Sequence, residues 1–479
     1  MTSETFLWHD YETFGTDPRR DRPCQFAAIR TDTSLETVGE PVVWYSQPTR
    51  DMLPSPDACV ITGITPQTAL ARGMPEYEFA NQIFELMSEP STCTVGYNNF
   101  RFDDEVSRFM FWRNFIDPYA REYKNGNSRF DLIDLLRMTS ALRPEGIEWP
   151  ANDEGVPGFR LEDLARANGF SVANAHDALA DVENTLGMAR LVRRHQPKLW
   201  NWALSLRARH RVEQLVEKRE ILLHASSRFP ATLKCIAPVL PLFRHPTIKS
   251  QWLVWNLRED PAEFMEFDAE TLADLFWTAS VDLPEGMKRL PVKWIRTNRC
   301  PMLSPVGVLN GAAAQRTQID LDQAAGYAYR LGGEPAFLER MVEVFSAPRP
   351  GQAFDAETAL YDGFVSDSDR RVAERIRGQS PDQAARLLAA PPGPFADERL
   401  AELLLHYVGR HAQPSLDAES LEAWRVYRRR RLLDDPELAP LRLPEFLQRI
   451  DEIRRERPDC TPLLDELVQW PEHIGIDDL

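Results

Sequence analysis

The chain opens on a run in which apolar and polar side chains interleave at short range. "TFLWHDYETF" (5–14) carries the aromatic and β-branched residues of a strand. "CQFAAIRTD" and "PVVWYSQP" repeat that character across turn-rich breaks, which predicts an antiparallel meander. The period then lengthens. "EYEFANQIFELMSE" has helical spacing and leads into the short strand "CTVGYNN". "DDEVSRFMFWRNFI", "FDLIDLLRMTSAL" and "RLEDLARANG" read as further helices, the last closed by Gly169 as a C-cap. "DALADVENTLGMARLVRRH" is a long amphipathic helix. Strands first, then alternating helix and strand, predict an α/β (α+β) domain over 1–195 with a mixed sheet packed by helices.

Near Gln196-Pro197 the pattern changes. "LWNWALSLRARHRVEQLVEKR" reads as one linking helix. "TLKCIAPVLPLF", "QWLVWNL" and "PVKWIRTNRCPML" are short strands broken by proline, with a helix "AETLADLFWT" between them. This is expected to be a small β-rich domain over 196–347. From 348 to 479 helical spacing dominates, clearest in "AELLLHYVGRH", "LEAWRVYRRRRLL" and "LPEFLQRIDEIRRER". "PRPGQ" (348–352) and "APPGPF" (390–395) read as loops that mark boundaries.

Composition narrows the class. The 479 residues are 43% hydrophobic, enough for several cores. No stretch reaches the ~18 uninterrupted apolar residues of a membrane span. The first residues lack a basic stretch followed by a long apolar one, so a cytoplasmic protein is expected. The six cysteines are scattered without a C-x-x-C pair, which argues against a zinc ribbon or disulfide framework. A net charge of −17 excludes simple coating of nucleic acid, though not an enzyme with a local basic groove.

The candidate chemistry lies in three places. On a strand, Asp10 and Glu12 project from one face. Two carboxylates so close repel unless a cation lies between them, and oxygen ligands suit a hard divalent ion. A solvated strand end also explains that pair alone. After the short strand "CTVGYNN", "NNFRFDDEV" brings Asp103, Asp104 and Glu105 to a helix start, where capping alone accounts for them and spacing does not say which faces a site. In "NAHDALADVENT", His176 precedes Asp181 by five positions, a rotation of about 140° on a helix. The two converge only if His176 sits at or before the first turn. Asp177 competes with Asp181 for the acidic role.

Taken in order, D-x-E, N-x-x-F-D and H-x-x-x-x-D resemble the three motifs of the DEDD exonucleases, in the subclass with a histidine in the last motif (DEDDh). The wording of "HDYETFGTDPRRDRPCQFAAIRTD", "ITGITPQ", "GYNNFRFDDEV", "LRPEGIEWP", "NAHDALADV" and "LYDGFVSDSDR" is similar to the bacterial exonuclease I family. The likeness is dense to about residue 200, thin in the middle and patchy in the last third. It implies a ribonuclease H-like exonuclease domain, an SH3-like domain and a helical C-terminal domain in a C-shaped, monomeric molecule. It also implies processive 3′→5′ degradation of single-stranded DNA to 5′-mononucleotides in DNA repair and recombination. Asp10, Glu12, Asp103 and Asp181 match the acids that hold two Mg²⁺ or Mn²⁺ ions, and His176 matches the general base. Two such ions, about 4 Å apart, activate a water and stabilise the leaving oxygen. Glu12, Arg108, Tyr119, Tyr123 and Arg160 match contacts to the strand. Arg143, in "LRPEG", matches the docking surface for the acidic C-terminal tail of single-stranded-DNA-binding protein.

Around 101–129, arginines interleave with rings, a mixture that suits phosphate neutralisation and base stacking, although ordinary core aromatics and solvated cations account for most of it. The runs "RLVRRHQPK" (190–198) and "WRVYRRRRLL" (424–433) read as solvated basic faces or as one wall of a binding channel. Proofreading or RNA-trimming DEDDh enzymes are the nearest alternative, and a catalytically weak single-stranded-DNA-binding scaffold is another. An HD-type phosphohydrolase built on His176-Asp177 lacks the further histidine cluster that its chemistry needs.

Overall fold

The computed structural model describes residues 4–172, 177–346, 355–390 and 393–479. They form two compact units. The first draws on the segments 1–128, 173–183 and 350–479, and the second on 129–172 and 184–349.

The first unit is organised by a sheet in which β1 (Thr5–Thr13), β2 (Pro23–Asp32), β3 (Val42–Tyr45) and β4 (Thr92–Gly96) lie in the order β3-β2-β1-β4, and a further strand, β5, spans Ser128–Asp131. The unit ends at the first residue of β5. β1, β2 and β3 form the expected antiparallel meander, and β4 runs parallel to β1. β1 is the central strand and is covered on both faces. Leu7 and Tyr11 pack with Phe26, Phe79, Ile83 and Met110 on one side. From the other, Trp8 donates its indole N–H to Thr31 at 3.0 Å. The parallel pairing of β1 with β4 stops at Trp8–Val95, because β4 ends at Gly96. A Cβ at Gly96 would lie 2.8 Å from Asn99 Cβ, so glycine permits the close turn that follows.

The C-terminal segment shares the unit's core. Phe446, Ile450, Leu464 and Trp470 pack with Phe14, Cys24, Met52 and Cys59. Leu400, Leu404 and Tyr407 pack with Phe109, Trp112 and Phe115. Beside these cores lies a buried ionic lattice of three arginines and three acids. Arg113 grips Glu76 at 2.7 and 3.0 Å, and Asn114 adds a third donor at 2.8 Å. Arg22 reaches Glu357 at 2.5 Å. Arg410 donates to both oxygens of Asp51, at 3.1 and 2.6 Å, and also to Glu357. Burial opposes ionisation of these acids, but the arginines outweigh it, holding Glu76 down at about 2 and Asp51 and Glu357 well below the usual range.

The second unit contains the small β-rich region. Its sheet has order β10-β6-β7-β8-β9, from β6 (Leu222–Ala225), β7 (Ile236–Arg244), β8 (Gln251–Asn256), β9 (Val292–Arg296) and β10 (Leu303–Pro305). β7, β8 and β9 match the three proline-broken strands expected. β6 and β10 are additional, four and three residues long, too short for a periodic signal. The expected linking helix is instead two, Pro197–Ser205 and Arg209–Val216. Tight i→i+3 bonds at Leu206, Arg207 and Ala208 end the first, and Ala208 is extended. Phe130 and Asp131 belong to β5 rather than to the helix after it. The Asp131 carboxylate caps that helix, Leu132–Leu142, through the Ile133 amide. Asn168 ends the helix Leu161–Ala167, and Gly169 follows at φ +78°. Residues 348–352 lie outside the described residues, as do 391–392 within the second expected boundary loop.

Removing one acid from the ionic lattice strands buried guanidinium charge. Glu357→Ala is expected to lower stability by about 3–5 kcal/mol, read from urea unfolding curves. A loss below about 1 kcal/mol, the level of a surface ion pair, would show that the lattice does not join the N- and C-terminal segments energetically.

Candidate active site

Asp10 and Glu12 leave β1 on the same face, as the period of two requires. β2 shapes the floor beside them. Ala27 lies opposite Asp10 and leaves space there, while Gln25 lies opposite Glu12. The Gln25 carbonyl oxygen accepts the Ala178 amide at 3.1 Å, and its amide donates to Asp177 at 3.3 Å. A single buried strand amide thereby fixes the start of the helix Ala178–His195. Gln25 went unnoticed in the sequence. Its one signal was an amide inside an otherwise apolar strand, "CQFAAI".

Asp177 and Asp181 are held differently at that helix start. Asp177 accepts the amides of Leu179 and Ala180 at 3.1 and 3.4 Å and so caps the helix. One turn on, Asp181 presents its carboxylate to the β1 pair. Ligand oxygens of Asp10, Glu12 and Asp181 all lie within 4.8 Å of one another. The fourth expected acid, Asp103, opens the helix Asp103–Arg113. Where β4 has ended, the β1 amide of Tyr11 has no strand partner there, and it donates to Asp103 at 3.2 Å. Asp104 instead pairs with buried Arg121 at 2.6 Å. Glu105 turns to Arg108 at 2.7 Å and to Tyr361 at 2.5 Å. The structure therefore places Asp103, of the three adjacent acids, beside the site.

The site is electrostatically frustrated. Burial raises the pKa of Asp10 well above the carboxylate range, and Asp103, Glu12, Asp181 and Asp177 raise it further. Burial, then Asp181, Asp103 and Asp177, push Glu12 up to about 9. An all-oxygen donor set in which each acid opposes its neighbours' ionisation fits a divalent cation, which would restore all of them to the charged form. His9 takes no part. It points away from Asp10 among Tyr11 and Phe26, and burial lowers it to about 4. His176 lies outside the described residues.

The expected strand contacts are scattered. Tyr123 is exposed and Tyr119 half-buried. Arg108 is buried, donates to both oxygens of Glu122 at 2.8 and 3.0 Å, and lies 5.2 Å from the centre of the Tyr119 ring. Arg113 and Arg121 are buried in ion pairs rather than solvated. In the run 424–433, Arg428 and Arg431 are buried, while Arg429 and Arg430 pair with Asp434 and Asp435. That run is therefore only partly a solvated face. Arg160 and Arg143 belong to the second unit. Arg160 is exposed at the start of the helix Leu161–Ala167, and Arg143 donates to the carbonyls of Leu142 and Val308 at 2.6 and 2.8 Å.

Three protein-family descriptions match the chain: an exonuclease over 7–188, an exonuclease I SH3-like domain over 207–347 and an exonuclease I C-terminal domain over 354–474. Exodeoxyribonuclease I of Escherichia coli K12 is 41% identical over 98% of both chains. Exonuclease I from Methylocaldum szegediense superposes with a TM-score of 0.92 at 43% identity, over 98% of this chain and 99% of that one. E. coli exonuclease I in complex with a dA16 oligonucleotide superposes with the same score at 40% identity, over 98% and 100%.

The raised carboxylates make a signed prediction. Between about pH 4.5 and 9, folded Glu12 keeps a proton that the unfolded chain releases, so stability falls as pH rises. Buried His9 and His411, both lowered to about 4, act oppositely, but only below their ordinary range. In chelator, the melting temperature is therefore expected to fall from pH 7 to pH 9, and Glu12→Gln should flatten that slope. Parallel slopes in the two proteins would remove Glu12 as its source.

Proposed function

The chain belongs to the exonuclease I family, and from that premise we propose how its site works on a DNA strand. The protein is an exodeoxyribonuclease acting on single-stranded DNA, and its exonuclease domain is metal-dependent. The observation that carries the mechanism is the convergence of Asp10, Glu12 and Asp181 within 4.8 Å, with Asp103 in their field. These four acids are proposed to hold two Mg²⁺ ions. Bound there, divalent cations supply a polarised water and positive charge against the scissile phosphate and its leaving oxygen.

The remaining steps belong to the chain itself. Asp10 and Glu12, fixed on a central strand, set the position of the phosphate. His176 is proposed to take the proton of the attacking water, its ordinary pKa lying close to neutrality. The water oxygen bonds to phosphorus, the P–O3′ bond breaks, and the departing 3′ oxygen takes a proton from solvent, to which His176 returns the one it accepted. The products are a 5′-mononucleotide and a strand one residue shorter with a free 3′-OH. Arg160, Tyr119 and Tyr123 are proposed to contact the strand. Arg108 is proposed to act there too, after exchanging Glu122 for a phosphate. The match to SH3-like and C-terminal exonuclease I domains favours processive action on DNA over an RNA-trimming or proofreading role. Domains at 1–195, 196–347 and 348–479, a monomeric state, and a cytoplasmic role in repair and recombination complete the proposal. No helix among the described residues is long and apolar enough to cross a membrane.

The reading is tested with single strands labelled at the 5′ end, Mg²⁺, and duplex and RNA controls. A descending ladder on single-stranded DNA is expected. Asp181→Ala and His176→Ala should abolish or sharply cut it. Asp177→Ala should keep it while losing about 1 kcal/mol of helix-cap stability. Degradation from the 5′ end, or a dead Asp177→Ala beside an active Asp181→Ala, would overturn the assignment.

Arg143 is proposed to receive the acidic C-terminal tail of single-stranded-DNA-binding protein. A fluorescent peptide of that tail is expected to bind about tenfold more weakly to Arg143→Ala. Unchanged anisotropy curves, with an unchanged melting temperature, would place the docking site elsewhere.

A further inference from the structure

One row of side chains crosses the first sheet at Glu12. The register sets Glu12 of β1, Gln25 of β2 and Tyr45 of β3 opposite one another, so all three project from the face that carries Asp10. The pairing of β1 with β2 slips just beyond this row. Thr13 lies opposite Pro23, and Cys24 is the extra residue of a bulge. Gln25 stands at the edge of that bulge. It is 1% exposed, and its amide is bonded at both ends. The oxygen accepts the Ala178 amide at 3.1 Å. The nitrogen donates to Asp177 Oδ2 at 3.3 Å and to the Tyr45 hydroxyl at 2.8 Å. The Ala178 N–H can only donate, which fixes the way the amide faces. At the far end of the row, the Arg72 guanidinium lies 4.0 Å from the centre of the Tyr45 ring.

These bonds lead to Asp181 in short steps. Asp177 divides its carboxylate: Oδ2 takes the Gln25 N–H, and Oδ1 takes the amides of Leu179 and Ala180 at 3.1 and 3.4 Å. Gln25 and Asp177 together therefore satisfy the amides of residues 178, 179 and 180, the open donors of the first helical turn. Asp181 supplies the next amide, which bonds the Asp177 carbonyl at 3.1 Å. Its carboxylate is one of the three that converge within 4.8 Å.

Asp10 and Glu12 are set relative to each other by β1 itself. Asp181 arrives on a separate helix, so its place beside them rests on contacts between helix and sheet. An amide suits that task because it accepts at one end and donates at the other. A carboxylate at position 25 could accept from Ala178, but ionised it would have no proton for Asp177, and it would add a charge beside Glu12. An apolar side chain would take both bonds from the helix start.

We propose that Gln25 is a positioning residue of the metal site, an inference that rests on the two-ion reading above. Through Asp177 and Ala178 it sets the Asp181 carboxylate against Asp10 and Glu12, and so sets the affinity for divalent cations without touching ion or strand. The test titrates Mn²⁺ into the full chain by calorimetry, without DNA, and follows turnover on single-stranded DNA across Mg²⁺ concentrations. Gln25→Met keeps the length of the side chain but not its hydrogen bonds, and is expected to bind Mn²⁺ about 10–100-fold more weakly. Its turnover should return as Mg²⁺ is raised, with the KM for the strand unchanged, a pattern that a loosened fold does not give. Gln25→Asn, one methylene short, should show the same loss, and it carries the test if Gln25→Met unfolds. Tyr45→Phe removes only the hydroxyl at the far side of the amide and should bind Mn²⁺ as the wild type does. Wild-type affinity in the Gln25 variants overturns the proposal. So does an equal loss in Tyr45→Phe, which would trace the effect to the sheet. Asp181→Ala separates this inference from the reading beneath it. Undiminished Mn²⁺ binding there removes both, whereas a loss there beside unchanged Gln25 variants removes this inference alone.

Discussion

Carboxylates that cannot all be charged at once are the constraint around which this protein is built. Asp10, Glu12 and Asp181 converge from a strand and a helix with Asp103 beside them, and burial removes the water that would screen them. Everything nearby serves to hold that repulsion in place. β1 is covered on both faces, so its side chains cannot swing apart. Gln25 pins the helix that delivers Asp181, and the β1 amide left open by the short β4 pins Asp103. A site this costly in the metal-free protein is matched to a ligand carrying concentrated positive charge.

The ionic lattice in the same unit shows the opposite solution to the same problem. Glu76, Asp51 and Glu357 are more deeply buried than the half-buried Asp10 and Asp181, yet their pKa values fall rather than rise, because three arginines lie among them. Burial is common to both sets, and the sign of the neighbours decides the direction. The lattice also draws residues from positions 22 to 410 into one buried cluster, so the C-terminal helices and the sheet that carries Asp10 and Glu12 share a core rather than meeting at a surface.

The strand and helix periods, the D-x-E pair and the order of the three acidic motifs were legible in the sequence, because strand alternation and helical spacing are local properties of the backbone. The resemblance carried by those motifs named the family before any coordinate did. Spacing left two choices open: Asp177 or Asp181, and which of Asp103, Asp104 and Glu105. Tertiary structure placed these residues, since capping amides claim Asp177, Arg121 claims Asp104 and Arg108 claims Glu105. The short strands β6 and β10 were equally hidden, being defined by partners distant in sequence. So were the arginines of 108–121, which look like a solvated basic patch until the acids that bury them are found. A residue's own segment determines which way it points. Only the folded chain determines what charge it meets there, because a Coulomb interaction depends on distance through space and not along the sequence.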